Sequence, residues 1–251
     1  MSGHSKWASV KHKKAAVDAK RGKLFSKLIR EITVSAREGG GSTETNARLR
    51  TAVDRAKEAN MPLDNIEKAI KRGTGEMEGV TYETCLFEGY GPGGVAIMVE
   101  TLTDNKNRTT AEVRNIFSKK NGNMAGSGSV AWIFVQKGYI LVPKDKISED
   151  DLLSIALEAG AEDVKTEGDK YEITTEPKDF ESVKSSLKEK NVAWETAEIT
   201  MIPSSTIKLD GQNAKQVLSL VENLEDHDDV QNVYSNFDIP DSVMNDIAED
   251  I

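Results

Sequence analysis

Gly138-Tyr139-Ile140-Leu141-Val142 opens the stretch 138–202, whose succession of element types decides the fold. The apolar pentapeptide predicts a strand. Ser148, followed by Asp150 and Asp151, offers an N-cap with acids in the first turn and predicts a helix over 148–159. Strands near 162–167 and 170–175 flank the turn Gly168-Asp169. Phe180, Val183 and Leu187 recur at helical spacing within 177–190, and a last strand covers about 192–202. The resulting order, β-α-β-β-α-β, is the ferredoxin-like pattern.

On either side lie two incomplete pieces. Residues 80–135 predict strands at Val80–Glu88 and Val95–Thr103, a helix opened by a Thr109-x-x-Glu112 capping box, and a third strand at Val130–Val135. Val113, Ile116 and Phe117 supply that helix with a buried face. Residues 204–239 predict a helix bearing Ala214, Val217, Leu218, Val221 and Leu224, then a strand over Val230–Phe237. Neither piece buries itself alone. The expectation is therefore that 204–240 returns to complete 80–136, with 137–203 inserted between them and an acidic tail at 241–251.

Upstream, residues 1–79 predict a three-helix domain. Leu24, Phe25, Leu28, Ile29, Ile32 and Ala36 form one apolar stripe over 24–37, ended by Gly39-Gly40-Gly41. Ser42 and Thr43 offer caps for a second helix near 46–59, built on Leu49, Ala52, Val53 and Ala56. Pro62 suits the first turn of a third, about 63–72, burying Leu63, Ile66 and Ile70. Lys71-Arg72-Gly73-Thr74-Gly75 reads as a basic, flexible exit. The fold class is α+β multidomain: an N-terminal three-helix domain and two α+β (ferredoxin-like) domains, the last inserted into the middle one.

Charge is unevenly placed. The chain has 251 residues and a formal net charge of −9, yet residues 1–30 hold nine Lys/Arg against one acid, Asp18, a local charge of +8. Residues 1–79 carry +7 and residues 80–251 carry −16. A phosphate chain meets such a head first, because neutralised phosphates release counterions. The candidate nucleic-acid contacts are His4, Lys6, Trp7, Lys11, His12, Lys13, Lys14, Lys20, Arg21, Lys23, Lys27, Arg30, Lys71 and Arg72. Trp7 offers a stacking face. Residues 1–22 lack an apolar period and read as a mobile or weakly helical arm; a solvated tail, or a patch for the chain's own acidic part, is the plainer alternative. Asn105, Lys106, Asn107 and Arg108 fit turn and cap chemistry better than an RNA contact.

Other classes find less support. Gly89, Gly91 and Gly94 match GxGxxG, but a strand follows rather than a helix, so the run reads as a hairpin and not a dinucleotide loop. The single cysteine, Cys85, sits in a strand and reads as core. His4, His12 and His227 show no metal-ligand spacing, so neither metal nor cofactor is expected. No paired carboxylates or nucleophile–base set suggest an enzyme or a small-molecule substrate, and Glu88 reads as a strand-end acid. No apolar run is long enough to span a bilayer, and no secretory leader is legible at the start.

The strings Gly3-His4-Ser5-Lys6-Trp7, Lys11-His12-Lys13-Lys14, Asp18-Ala19-Lys20-Arg21-Gly22-Lys23, Glu88-Gly89-Tyr90-Gly91-Pro92-Gly93-Gly94, Thr103-Asp104-Asn105 with Asn107-Arg108-Thr109, and Gly128-Ser129-Val130 resemble the YebC family of probable transcriptional regulatory proteins, whose mitochondrial members are translational activators of cytochrome oxidase subunit one. The resemblance runs nearly the whole length; Ala125-Gly126 departs from it. It implies three domains, a cytoplasmic location, no catalytic site, and a DNA-binding transcriptional regulator that binds duplex DNA through its basic N-terminal arm and first helix, with a translation factor or activator on ribosomal or messenger RNA as the alternative. The acidic domains are left to meet the ribosome or transcription proteins.

Overall fold

The computed structural model describes residues 17–240 and residue 243, with side chains from residue 21 onward. The chain divides into two compact units, Trp132–Ser205 and the residues flanking it on both sides.

In the flanking unit, α1 spans Val17–Gly39, α2 Ala47–Glu58 and α3 Leu63–Thr74. Leu28, Ile32 and Ala36 meet Leu49, Ala52, Val53 and Ala56, with Ile66 and Ala69 closing the cluster. Burying each of the larger side chains contributes about 1.5–3 kcal/mol, which holds helices of this length together. α1 starts at Val17, inside the expected arm: extending a helix whose core turns are already packed costs little.

Asn46, rather than Ser42 or Thr43, caps α2. Its Oδ1 accepts from the Leu49 amide at 3.0 Å, while its Nδ2 donates to the Ser35 and Gly40 carbonyls at 2.8 Å each. One buried amide thus satisfies groups at the end of α1 and the start of α2, which a hydroxyl cannot do. Leu63, expected in the core, is 64% exposed; Ile66 and Ala69 face inward instead, with Ile70 partly buried. The expected flexible exit is the last turn of α3, ended by Gly75 at φ 83°. Gly73 lies against α1, where an added Cβ would stand 2.4 Å from the Thr33 carbonyl oxygen.

β1 (Glu83–Tyr90) and β2 (Ala96–Thr103) form the expected hairpin, Tyr90 opposite Ala96. A 3-10 turn, Pro92–Gly94, joins them, with Gly93 at φ 73°. α4 (Lys106–Lys119) follows and is capped by Asn105, whose Oδ1 accepts from the Arg108 amide at 3.1 Å; Thr109 and Glu112 do not form the expected box. The short β3 (Asn123–Met124) pairs with β1.

The expected strand at Val130–Val135 is instead a 3-10 turn, Ala131–Ile133, running into β4 (Phe134–Pro143). Its apolar letters misled because Trp132 is 72% exposed and only the residues from Phe134 onward pair. The unit 132–205 continues with α5 (Glu149–Glu158), β5 (Ala161–Glu167), β6 (Lys170–Thr175), α6 (Phe180–Glu189) and β7 (Thr196–Pro203). Ser148 caps α5 as expected. The sheet order β5-β6-β4-β7, all antiparallel, is ferredoxin-like. Ile140, Val142, Leu152, Ala156, Ile173, Phe180, Val183 and Leu187 form its core.

The chain then returns. β8 (Ile207–Lys208), α7 (Gly211–Glu225), β9 (Val230–Ser235) and β10 (Phe237–Asp238) complete the middle domain. β9 pairs with β2, giving the order β3-β1-β2-β9, and β10 pairs with β8 in parallel. α4 and α7 share one core with the sheet, including Phe87, Ile97, Val113, Phe117, Val217 and Val221. This domain therefore has the same two layers as the inserted one and threads them differently.

Candidate nucleic-acid interface

Of the candidate contacts, His4, Lys6, Trp7, Lys11, His12, Lys13 and Lys14 lie outside the described residues, as does the side chain of Lys20. Arg21, Lys23, Lys27 and Arg30 lie on α1, and Lys71 and Arg72 are exposed in the last turn of α3. Arg21 rests its guanidinium over the Phe25 ring, 5.4 Å from its centre.

Three of these candidate cations on α1 have hydrogen-bond partners at the end of α7 and in the turn after it. Lys23 Nζ donates to the Asp226 carbonyl at 3.1 Å, and Lys27 Nζ to the Glu225 carbonyl at 2.6 Å. Arg30 donates to the Asp228 carbonyl and pairs with Asp229 Oδ1 at 2.9 Å. These acceptors belong to the last residue of α7 and the turn after it. A helix C-terminus leaves carbonyls unsatisfied and carries partial negative charge, so a row of cations one turn apart is a suitable cap. The stripe opposite α1's apolar face thus docks the helix on the middle domain.

Asp229 is the centre of this contact. Its side chain is 3% exposed. Oδ2 accepts from Thr109 Oγ1 at 2.6 Å, Arg108 at 2.8 Å and Thr103 Oγ1 at 3.1 Å. Burial pushes the carboxyl up, but the bonds from Thr109 and Arg108 and the Arg30 charge outweigh it and hold the group below the usual aspartate range. Arg108 also pairs with Asp104 at 2.8 Å. The run Thr103–Thr109 is therefore turn, cap and ion-pair chemistry, the reading its residue types favoured. His227 stands beside it: Nδ1 accepts from the Asp229 amide at 3.1 Å, which leaves Nε2 as the donor to Glu112 Oε2 at 2.9 Å.

Glu112, His227 and Asp229 bring ligand-type atoms within 4.8 Å of one another. Both Asp229 oxygens already serve guanidinium or hydroxyl donors, and two Arg cations adjoin the group, so its chemistry is that of an ion-pair network. Sequence reasoning missed it because its members are more than a hundred residues apart. The one legible signal was an acidic turn, Glu225–Asp229, of opposite sign to a basic helix face.

Glu88 is likewise more than a strand-end acid. It is 3% exposed, and its carboxylate accepts from the amides of Gly128 and Val130 at 2.7 Å and Ala131 at 2.8 Å. Successive backbone amides in a Gly-Ser loop form an anion-binding concavity. Here the chain's own carboxylate fills it. Burial raises the Glu88 carboxyl, and the amides of Val130, Gly128 and Ala131 bring it below the usual glutamate range. Cys85 is buried in the middle-domain core, and burial pushes its thiol up, as suits a packing residue.

Comparison with known proteins fits this arrangement. The TACO1/YebC N-terminal domain model matches residues 5–76, and the TACO1/YebC second and third domain model matches residues 82–237. The chain belongs to the TACO1/YebC family. Among TACO1/YebC relatives, a protein of Dictyoglomus turgidum is 58% identical over 249 residues, covering 99% of this chain and 100% of the relative. Another, from Natranaerobius thermophilus, is 59% identical over 247 residues, covering 97% and 99%. Both bear the name "Probable transcriptional regulatory protein". The crystal structure of a conserved hypothetical protein from Aquifex aeolicus is 53% identical, with a TM-score of 0.83, and covers 94% of this chain and 98% of that one. No helix among the described residues is long and apolar enough to cross a membrane.

Proposed function

We propose that this chain is a nucleic-acid-binding regulator of gene expression acting in the cytoplasm, with its basic head on phosphates and its acidic remainder turned to protein partners. The observation that carries the reading is the charge of +8 over residues 1–30 in a chain of −9. Counterion release makes such a segment a phosphate binder whatever the base sequence. The name shared by relatives at 58% and 59% identity supports a regulatory role.

The bonds made by α1 support a division of the work. Lys23, Lys27 and Arg30 anchor α1 to the turn after α7, so phosphate contact falls to the segment from His4 to Arg21, aided by Lys71 and Arg72. The test is competition between a promoter DNA duplex and ribosomal RNA for the full chain at fixed salt, repeated with Lys13→Glu/Lys14→Glu. Broad weakening by that pair is expected. Unchanged affinity removes the head from the mechanism.

A further inference from the structure

We propose that the outward face of α4 is a second nucleic-acid contact, one that lies across the minor groove of an RNA duplex. The inference rests on the nucleic-acid reading above and narrows it. Residues 106–120 hold Lys106, Arg108, Arg114, Lys119 and Lys120 against one acid, Glu112, inside the part of the chain that carries −16. The helix is thus a cationic island in an anionic domain.

Its charges are available where those of α1 are not. Arg108 is taken by Asp104 and Asp229, and Lys120 donates to Ser219 Oγ at 2.9 Å. Arg114 and Lys119 are exposed on either side of the outward face and have no ion-pair partner among the described residues, whereas Lys106, seven residues before the buried Val113, sits on the inward stripe at the start of the helix. The nearby acids are engaged: Asp104 by Arg108, and Glu112 by His227 and Arg108. At about 1.5 Å per residue, these two cations stand about 8 Å apart along the helix and flank its outer side.

Shape selects the duplex. Val113 and Phe117 are fully buried against the sheet and Ile116 packs beside them, so only the outer side of α4 is presented. Entering a B-form major groove, about 8.5 Å deep, takes a helix that protrudes from its domain. An A-form minor groove is wide and shallow and displays 2′-hydroxyls. Asn107 and Ser118, both exposed on the same side as Arg114, can donate to and accept from those hydroxyls.

The experiment uses the full chain, a blunt RNA duplex and a DNA duplex of the same sequence, each titrated over a salt series. Wild type, Lys13→Glu/Lys14→Glu, Arg114→Gln/Lys119→Gln and Asn107→Ala/Ser118→Ala are compared. The α4 charge variant is expected to lose about tenfold in RNA affinity, with a log–log salt slope about 1–2 shallower. The amide–hydroxyl variant is expected to keep the slope and lose the preference for RNA over DNA. Wild-type RNA affinity and slope in the α4 charge variant, with loss in the head variant, overturn the α4 contact and leave the proposed function standing. Equal α4 losses on DNA and RNA overturn the assignment to RNA. Failure of wild type to bind either duplex overturns both. A thermal melt accompanies each variant; should the α4 charge variant unfold, Arg114→Gln alone is scored by the same slope.

Discussion

Arg30 and Asp229, from opposite ends of the chain, meet at 2.9 Å, with Arg30 also spread over the Tyr82 ring 5.5 Å away. The pair is the bolt between the three-helix domain and the middle domain. Through the other oxygen of Asp229 it also reaches Arg108, Thr109 and Thr103. Asp229→Ala leaves two guanidinium groups facing a void. Breaking one side of a buried, hydrogen-bonded charge group costs about 3–5 kcal/mol, and the partial exposure of Arg108 brings the expectation to about 2–4. Equilibrium urea unfolding followed by circular dichroism measures it; a loss below about 1 kcal/mol refutes the bolt.

The same carboxylate sets an acid limit. Asp229 and Glu88 are both held below their ordinary values of 3.8 and 4.5. A depressed carboxyl stabilises the fold fully above its unfolded value and loses that contribution as pH falls through the folded one. Stability is therefore expected to be flat from neutral pH to about 5 and to fall steeply below about 4. Asp229→Asn should shallow the fall in a pH series of thermal melts; an unchanged profile counts against it.

Glu88→Gln tests the loop 126–131. The amide keeps one acceptor oxygen and loses the charge that three backbone amides converge upon, so a loss of about 1–3 kcal/mol is expected. Hydrogen exchange at Gly128, Val130 and Ala131 should quicken together. If only one of the three changes, the carboxylate is not their common partner.

How much of this was open to reading varies by element. The β-α-β-β-α-β order of 134–203 was legible because each boundary carries local chemistry, such as the Ser148 cap and the Gly168-Asp169 turn. The return of 206–240 was legible from a missing helix and strand. The two-residue strand β3 was not, since its pairing is decided by β1. Leu63 looked like core because the periodicity of a short helix leaves its first residue undecided. The Arg30–Asp229–Arg108 group was hidden for a deeper reason: each member looks like an ordinary surface charge until the fold brings the three together. The candidate contacts at His4–Lys14 rest on charge alone.

Gly73→Ala separates intrinsic preference from packing. Within a helix, alanine is favoured over glycine by about 1 kcal/mol. Here its Cβ would stand 2.4 Å from the Thr33 carbonyl oxygen and 2.7 Å from Ala36 Cβ. Both belong to α1, so the helices must part, at about 1–3 kcal/mol. The expected net result is a lower melting temperature; a rise shows that α1 and α3 yield easily.

The place of the inserted unit has a consequence for synthesis. β4 and β7 are neighbours, with Phe134 opposite Pro203, and the Ser204 amide donates to the Ile133 carbonyl at 2.8 Å. Entry and exit lie side by side, so the unit can close as soon as residue 205 has left the ribosome. The sheet around it cannot, because β9 is made later and belongs beside β2. The turn that receives Lys23, Lys27 and Arg30 follows them by 198 to 203 residues. Until that turn is made, a nascent chain carries α1 with those three cations lacking these acceptors.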